Sequence, residues 1–316
     1  MSAPASRSGR VPQSVAVRVP AKINLQLSVG PVEADGYHNL VTVFQAISLF
    51  DDLTVAYGDA GSGIKISITG DQTHGVPSDV NNLAAKAAAA ICAKYDLADD
   101  LEITINKSIP VAGGMAGGSA DAAATIVAMD SLFALDMSRD EMTEIAADLG
   151  SDVPFLLSGG TAVGTGRGDQ ITQALSRGTY HWVLALSTVG LSTPAVYKEC
   201  DRLREGMDVV EPVASDVLLK ALLAGDAQAL GKVLTNDLQP AAFSLRPALR
   251  LVLDVGKEYG ALGSLVSGSG PTVAFLVGDE DHALDLTVAL MSSGVVGSVA
   301  RAYGPVHGAK VIDVKN

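Results

Sequence analysis

Apolar and polar residues alternate at 14–19 and again at 23–29, a period of two that predicts two β-strands near the start of the chain. Gly36, Tyr37 and His38 mark a turn, after which the β pattern resumes at 40–49, 53–57 and 64–68. Asp79 stands where an N-cap would open a helix through the alanine-rich stretch to Tyr95, and 101–106 alternates again as a strand. Apolar residues then recur at helical spacing from 120 to 133. Ser138 with Glu141 forms a capping-box signature for a following helix that Gly150 ends. Residues 161–164 and 170–172 flank Gly166, Arg167, Gly168 and Asp169 as a hairpin, and 181–187 reads as a strand. A helical stretch from 194 to 260 precedes a strand, a glycine-rich turn and a strand over 265–277. Mixed strands and helices without regular βαβ alternation predict an α+β fold in two packed halves. The expected division is a disordered tail over 1–14, an N-terminal domain over 15–165 and a C-terminal domain over 166–316.

Composition narrows the function classes. A chain of 316 residues with 48% hydrophobic content is long and apolar enough to bury a large core. A formal net charge of −13, with no run of lysines or arginines, argues against nucleic acid as a partner. An anionic substrate must therefore be met locally, by helix N-termini and a few placed cations. Cys92 and Cys200 lie far apart and outside metal-ligand spacing, so neither a disulfide framework nor a zinc site is expected, and a reducing, cytoplasmic setting fits. The N-terminal stretch lacks the apolar run of a signal peptide, and no span reaches about 18 uninterrupted apolar residues, so a membrane is not an expected partner. His74, His181, His282 and His307 show no metal spacing.

The densest candidate chemistry is the run Pro110-Val111-Ala112-Gly113-Gly114-Met115-Ala116-Gly117-Gly118-Ser119-Ala120, between a predicted strand and a predicted helix. Backbone N–H groups and the helix dipole at such a junction hold phosphate, and glycines let the backbone approach it closely. Gly113 to Ser119 has the spacing of a Walker A loop, but Gly118 stands where the phosphate-binding lysine belongs. Ala112, Gly114 and Gly117 approximate the dinucleotide spacing, with alanine in place of its first glycine. Asp136 lies at the right distance for a ribose contact, but a helix follows where a strand should carry it. A flexible turn without a ligand is the remaining alternative.

A third pattern, Pro-x-x-x-Gly-[LM]-[GA]-[GS]-Ser-[SA], resembles the phosphate loop of the GHMP kinases, which include galactokinase, homoserine kinase and mevalonate kinase. Three other blocks agree with it in order along the chain. Pro20-Ala21-Lys22-Ile23-Asn24-Leu25 and Asp35-Gly36-Tyr37-His38-Asn39-Leu40 are similar to the first motif region. Leu149-Gly150-Ser151-Asp152-Val153-Pro154-Phe155 looks like the segment carrying a catalytic aspartate. Ser267-Gly268-Ser269-Gly270-Pro271-Thr272 is similar to a second glycine loop near the phosphates. The pairing of Ala-Lys-Ile-Asn with Asp-Gly-Tyr-His is the specific part, and it resembles the branch whose acceptor alcohol carries a cytidyl group. Ala116 and Ala120 depart from the pattern, replacing a glycine and a serine common in the loop.

The resemblance implies a two-domain GHMP kinase fold with the active site in the cleft between domains, ATP as co-substrate with Mg2+, and a cytidyl-bearing small molecule as substrate. Phosphoryl transfer needs positioning, charge neutralisation and an acceptor for the hydroxyl proton. By resemblance, Asp152 is the catalytic base and Lys22 lies beside the acceptor hydroxyl and γ-phosphate. Alone, Asp152 also reads as a helix N-cap, and Lys22 as an edge-strand lysine reaching solvent. Ser119 is expected at the β-phosphate or the magnesium, with a helix N-cap as the alternative. Lys107 is expected to reach the nucleotide, or else to be a solvated strand-end lysine. The resemblance assigns Tyr37 and His38 to the cytosine, with Tyr197 on its opposite face, and places Thr193 at the substrate as well. Asn24 shares a strand face with Lys22 and is expected at the acceptor's hydroxyls. Gly268, Ser269 and Gly270 form the second loop, and the magnesium is expected to arrive with ATP, held mainly by phosphate oxygens and water. Arg167-Gly168-Asp169 matches an integrin-binding tripeptide but reads as turn chemistry. A GHMP kinase of the mevalonate or homoserine type, or a non-catalytic nucleotide-binding protein on the same fold, remains the alternative.

Overall fold

The computed structural model describes residues 12–316; most of the tail expected over 1–14 therefore lies outside the described residues. The long strands β1 (Ser14–Val32) and β2 (His38–Tyr57) form an antiparallel hairpin that is the spine of the molecule. Sequence patterning divides each of them in two, and the structure does not. From Val19 to Leu27 every residue of β1 is buried, Lys22, Asn24 and Gln26 included, so both faces are covered and no position of this stretch meets solvent. The register shifts between Pro20 and Ala21 and between Asn24 and Gln26, bending the strand where it carries Lys22 and Asn24.

After β3 (Ile64–Gly70) come α1 (Leu83–Tyr95) and β4 (Leu101–Lys107), and β3 pairs with β4 in parallel. Asn82, not Asp79, caps α1, accepting from the Ala84 N–H at 2.8 Å; Asp79 instead accepts from the Asn81 N–H. Next follow α2 (Gly117–Phe133), α3 (Arg139–Leu149), α4 (Val153–Ser158), β5 (Thr161–Thr165) and β6 (Gln170–Gln173). The capping box of Ser138 and Glu141 opens α3. Helix α2 is alanine-rich and buried over most of its circumference, as a helix packed between a sheet and other helices must be.

The later elements are β7 (Tyr180–Leu186), α5 (Thr193–Leu203), α6 (Asp216–Ala224), α7 (Ala227–Gly231), β8 (Thr235–Asn236), α8 (Gln239–Leu245), α9 (Ala248–Glu258), β9 (Gly263–Val266), β10 (Val273–Val277), α10 (Glu280–Ser293), β11 (Ser298–Gly304) and β12 (Lys310–Lys315). They complete an α+β molecule with two sheets. The larger has the order β12-β1-β2-β4-β3, with β5 and β6 continuing from β2 and β8 on β1; the smaller has the order β11-β7-β10-β9.

One core joins the inward faces of β1, β2 and β4 to α1, α2 and α4, and a second lies between the smaller sheet and α9 and α10. Strands β6, β8 and β12 come from beyond residue 165 yet pair in the larger sheet. We therefore propose the halves 15–165 and 166–316 as domains only in their bulk packing, with the last strand handed back to the first half. Among the described residues no helix is long and apolar enough to cross a membrane.

Candidate active site

A cavity of about 310 Å³ opens where the middle of the β1–β2 hairpin, the glycine-rich segment before α2 and the turn before α4 converge. Lys22 is 4% exposed, and its Nζ donates to Asn24 Oδ1 at 2.7 Å. Asn24 Nδ2 donates in turn to Thr42 Oγ1 at 2.8 Å, and that hydroxyl donates to the Gln26 carbonyl at 2.8 Å. This chain fixes the ammonium at a point 3.7 Å from Asp152 Oδ2. Lys22 does not reach for bulk solvent. Asp152 precedes α4, but its carboxylate caps nothing; with its side chain 29% exposed, it faces the cavity. Among the residues lining the cavity it is the sole carboxylate.

The glycine-rich segment holds a conformation that few side chains tolerate. Ala112, Gly114 and Ala116 all have left-handed backbone, with φ of 50°, 77° and 61°. A Cβ on Gly114 would stand 2.0 Å from the Ser267 carbonyl oxygen, so the two glycine loops touch backbone to backbone there. Ala116 takes the N-cap position of α2 without a side-chain cap, leaving the first-turn N–H groups of Gly117, Gly118 and Ser119 beside the cavity. Pro110, Ala112, Gly113, Gly114 and Ala116 line it too.

Three expected loop contacts take other positions. Val111 points away, Met115 is fully buried in the core, and the Ala120 N–H is spent on the Ala116 carbonyl at 2.8 Å. Since Ala120 is itself buried, a hydroxyl at that position would face the core and not a ligand.

Lys107 also departs from expectation. It is 1% exposed beneath the loop, where its Nζ pairs with Asp51 and, at 2.9 Å, with Asp121. It is neither a solvated lysine nor a residue of the cavity, because two buried carboxylates hold it inside.

The second glycine loop contributes Gly268 and Ser269, whereas Gly270 packs against Val266 outside the cavity. A Cβ on Gly268 would stand 3.3 Å from Lys22 Nζ, so glycine there lets the loop close over the lysine. Thr193, the first residue of α5, is bonded to Ser269 through their hydroxyls at 2.9 Å. Asn236, which no sequence signal picked out, donates to the carbonyls of Val266 and Gly268 and ties this loop to β8.

At the far end Tyr197 lines the cavity, with its ring 5.3 Å from that of His38 and tilted by 39°. Burial, with the Asp152 carboxylate adding to it, pushes the Tyr197 phenol well above its ordinary pKa, so it stays neutral. His38 is bonded to Asp201 at 2.8 Å. Tyr37 is 57% exposed, and the Arg167 guanidinium lies over its ring at 4.0 Å. One face of Tyr37 is thus already covered. Arg167, expected only as turn chemistry, lines the cavity; a lone arginine between glycines carries no signal for that role.

A glycine-rich helix N-terminus, a second glycine loop and a lysine–aspartate pair around one cleft define a small-molecule kinase of the GHMP type. The family models agree: "GHMP kinases N terminal domain" matches residues 82–160 and "GHMP kinases C terminal" matches 218–294. A 4-diphosphocytidyl-2-C-methyl-D-erythritol kinase of Thermobifida fusca is 54% identical over 306 residues, covering 95% of this chain and 99% of that protein. One from Streptomyces coelicolor is 52% identical over 300 residues, covering 95% and 100%. The chain belongs to the family of 4-diphosphocytidyl-2-C-methyl-D-erythritol kinases. A crystal structure of a 4-(cytidine 5'-diphospho)-2C-methyl-D-erythritol kinase superposes with a TM-score of 0.72 at 30% identity over 91% of this chain and 98% of that one. A homoserine kinase from Cytophaga hutchinsonii, at TM-score 0.75 and 18% identity over 98% of this chain and all of that one, shares the fold.

Proposed function

We propose that this chain transfers the γ-phosphoryl group of ATP to the 2-hydroxyl of 4-diphosphocytidyl-2-C-methyl-D-erythritol, in the non-mevalonate route to isoprenoid precursors. The observation that carries the chemistry is the Lys22–Asp152 pair, 3.7 Å apart in the cavity that the α2 N-terminus also lines. Asp152 accepts the proton of the acceptor hydroxyl as its oxygen attacks the γ-phosphorus and the bond to the β-phosphate oxygen breaks, releasing ADP. Lys22, held by Asn24 and Thr42, neutralises charge on the transferring group. The N–H groups of Gly117, Gly118 and Ser119 receive the phosphates, since α2 opens there with no side-chain cap.

The donor set suits Mg2+ arriving with the nucleotide. The Ser119 hydroxyl, which lines the cavity in the first turn of α2, is a hard oxygen donor, and phosphate oxygens and water would complete the shell. Bound there, the ion would neutralise phosphate charge. Tyr197, with His38 and Tyr37 nearby, supports a pyrimidine platform at the other end, and Thr193 holds Ser269 between the two. Cys92 and Cys200 are both buried free thiols, which supports a reducing, cytoplasmic setting.

The test is a coupled assay of ADP release with the cytidyl compound, mevalonate and homoserine as acceptors. Turnover confined to the cytidyl compound is expected. Equal or faster turnover of either other alcohol would overturn the substrate assignment and leave the kinase reading intact.

A further inference from the structure

Beneath the glycine-rich segment, outside the cavity, lies a charged cluster that takes no part in the chemistry above. Lys107 ends β4, Asp51 sits on β2 and Asp121 lies in α2; their exposures are 1%, 0% and 1%. Lys107 Nζ donates to Asp51, to Asp121 Oδ2 at 2.9 Å and to the Gly117 carbonyl oxygen at 3.3 Å. Asp51 Oδ1 accepts from the N–H groups of Ser108 at 2.6 Å and Ile109 at 2.9 Å. The glycine-rich segment therefore leaves β4 from residues gripped by Asp51 and enters α2 at residues gripped by Lys107. One ammonium fastens both ends.

Stability is a poor reason for such a cluster. Two carboxylates and one ammonium are taken out of water together, and Asp121 Oδ1 has no hydrogen-bond partner among the described residues. Replacing buried ions by apolar groups of similar volume is often neutral or stabilising, so a buried cluster is better explained by what it positions. The positional consequence is direct. In a trans peptide the C=O and the next N–H point in opposite directions. Drawing the Gly117 carbonyl towards Lys107 turns the Gly118 N–H the other way, and Gly118 lines the cavity. A Cβ on Gly117 would stand 3.2 Å from Lys107 Nζ, so a side chain at the residue that receives this bond would crowd the ammonium.

We propose that Lys107, Asp51 and Asp121 are positioning residues that set the aim of the α2 N–H groups on the nucleotide's phosphates, an inference that rests on the ATP-dependent reading above. The effect belongs to the nucleotide and not to the acceptor, because the cluster touches the loop stem and the first turn of α2 but neither Asn24 nor Tyr197.

The test uses the full chain and two variants. Asp121→Asn keeps the shape of one partner; Asp51→Asn/Lys107→Met/Asp121→Asn removes all three charges while leaving a carbonyl oxygen to accept from Ser108 and Ile109. Melting curves with and without a non-hydrolysable ATP analogue are compared with KM for ATP and for the cytidyl acceptor. We expect the neutral triple variant to fold, to raise KM for ATP by about tenfold or more and to lose most of the analogue's thermal shift, with KM for the acceptor changed less than about twofold. Asp121→Asn should change in the same direction by less. A folded variant with parental KM for ATP overturns the positioning role, and so does an equal rise in both KM values, which marks general loosening. If the triple variant does not fold, Asp121→Asn alone decides between these outcomes. A parent protein that shows no analogue-induced shift overturns the nucleotide reading itself, a result distinct from variants that shift like the parent.

Discussion

Two carboxylates in this molecule have opposite surroundings, and each gives a measurable expectation. Asp152 faces the cavity beside Lys22 and has no structural hydrogen bond to lose, so Asp152→Asn should fold like the parent. Its turnover should fall by about 10²- to 10⁴-fold, the usual cost of losing a general base, with the ATP-induced thermal shift kept. Turnover within about tenfold of the parent would remove the base role. Asp121 is buried without solvent, and that burial, opposed by Lys107 and reinforced by Asp51, pushes its pKa up to about 7. A carboxyl raised on folding binds its proton more tightly in the folded state. Its contribution is therefore complete below the ordinary carboxylate range and is lost as the pH rises through about 7. Burial works against the Lys107 charge as well, but Asp121 and Asp51 outweigh it and hold the ammonium protonated throughout. Melting curves across that range should show stability falling with rising pH in the parent and falling less in Asp121→Asn; parallel curves would contradict the assignment. Most residues picked out from motifs line one cavity, because phosphate and proton chemistry restrict what can stand in a loop. The cluster around Lys107 left no such mark, its members being separated by 56 and 14 positions and bound together only by the fold.

Among the elements, the sequence was legible wherever one face met solvent. Strand β4 alternates strictly between buried and exposed, and α3 announces itself by its capping box. Strand β1 reads as two because Pro20 looks like a break in the pattern, whereas the structure takes it up at a register shift, and the helix start expected at Asp79 falls at Asn82, since either side chain can accept from a nearby backbone N–H. Helix α2 ends on Ala134 in left-handed conformation, φ 49° and ψ 48°, at an exposed position. An L-residue there is strained by roughly 1 to 2 kcal/mol, and glycine, though it loses more freedom on folding, is not. Ala134→Gly should thus raise the urea midpoint by an amount corresponding to about 0.5 to 1 kcal/mol. A lower midpoint would show that the alanine methyl contributes packing that outweighs the strain. Ala116 has the same left-handed geometry at the other end of the helix, so the departure from the family's glycine there is a strained residue inside the phosphate loop.

For the molecule as a whole, the order of strands and helices suggests two halves meeting near residue 165, but it carries no sign of the return of the chain to its first sheet. Nothing in the alternation of residues 310–315 says which edge they join. Strand β12 pairs with β1 from Ser14↔Lys315 to Arg18↔Lys310 and covers an edge that would otherwise present unpaired backbone groups. Deleting 310–316 should lower the melting temperature and promote self-association at high protein concentration, measured by calorimetry and light scattering; an unchanged melt with a monodisperse solution would show the strand dispensable.

That pairing also sets a timetable. A ribosome delivers residue 14 long before residue 315, and at about 5 to 20 residues per second the interval is on the order of tens of seconds. Throughout synthesis the growing chain carries β1 with its β12 flank bare, so the nascent protein is exposed to pairing with neighbours on the same message until its last strand emerges.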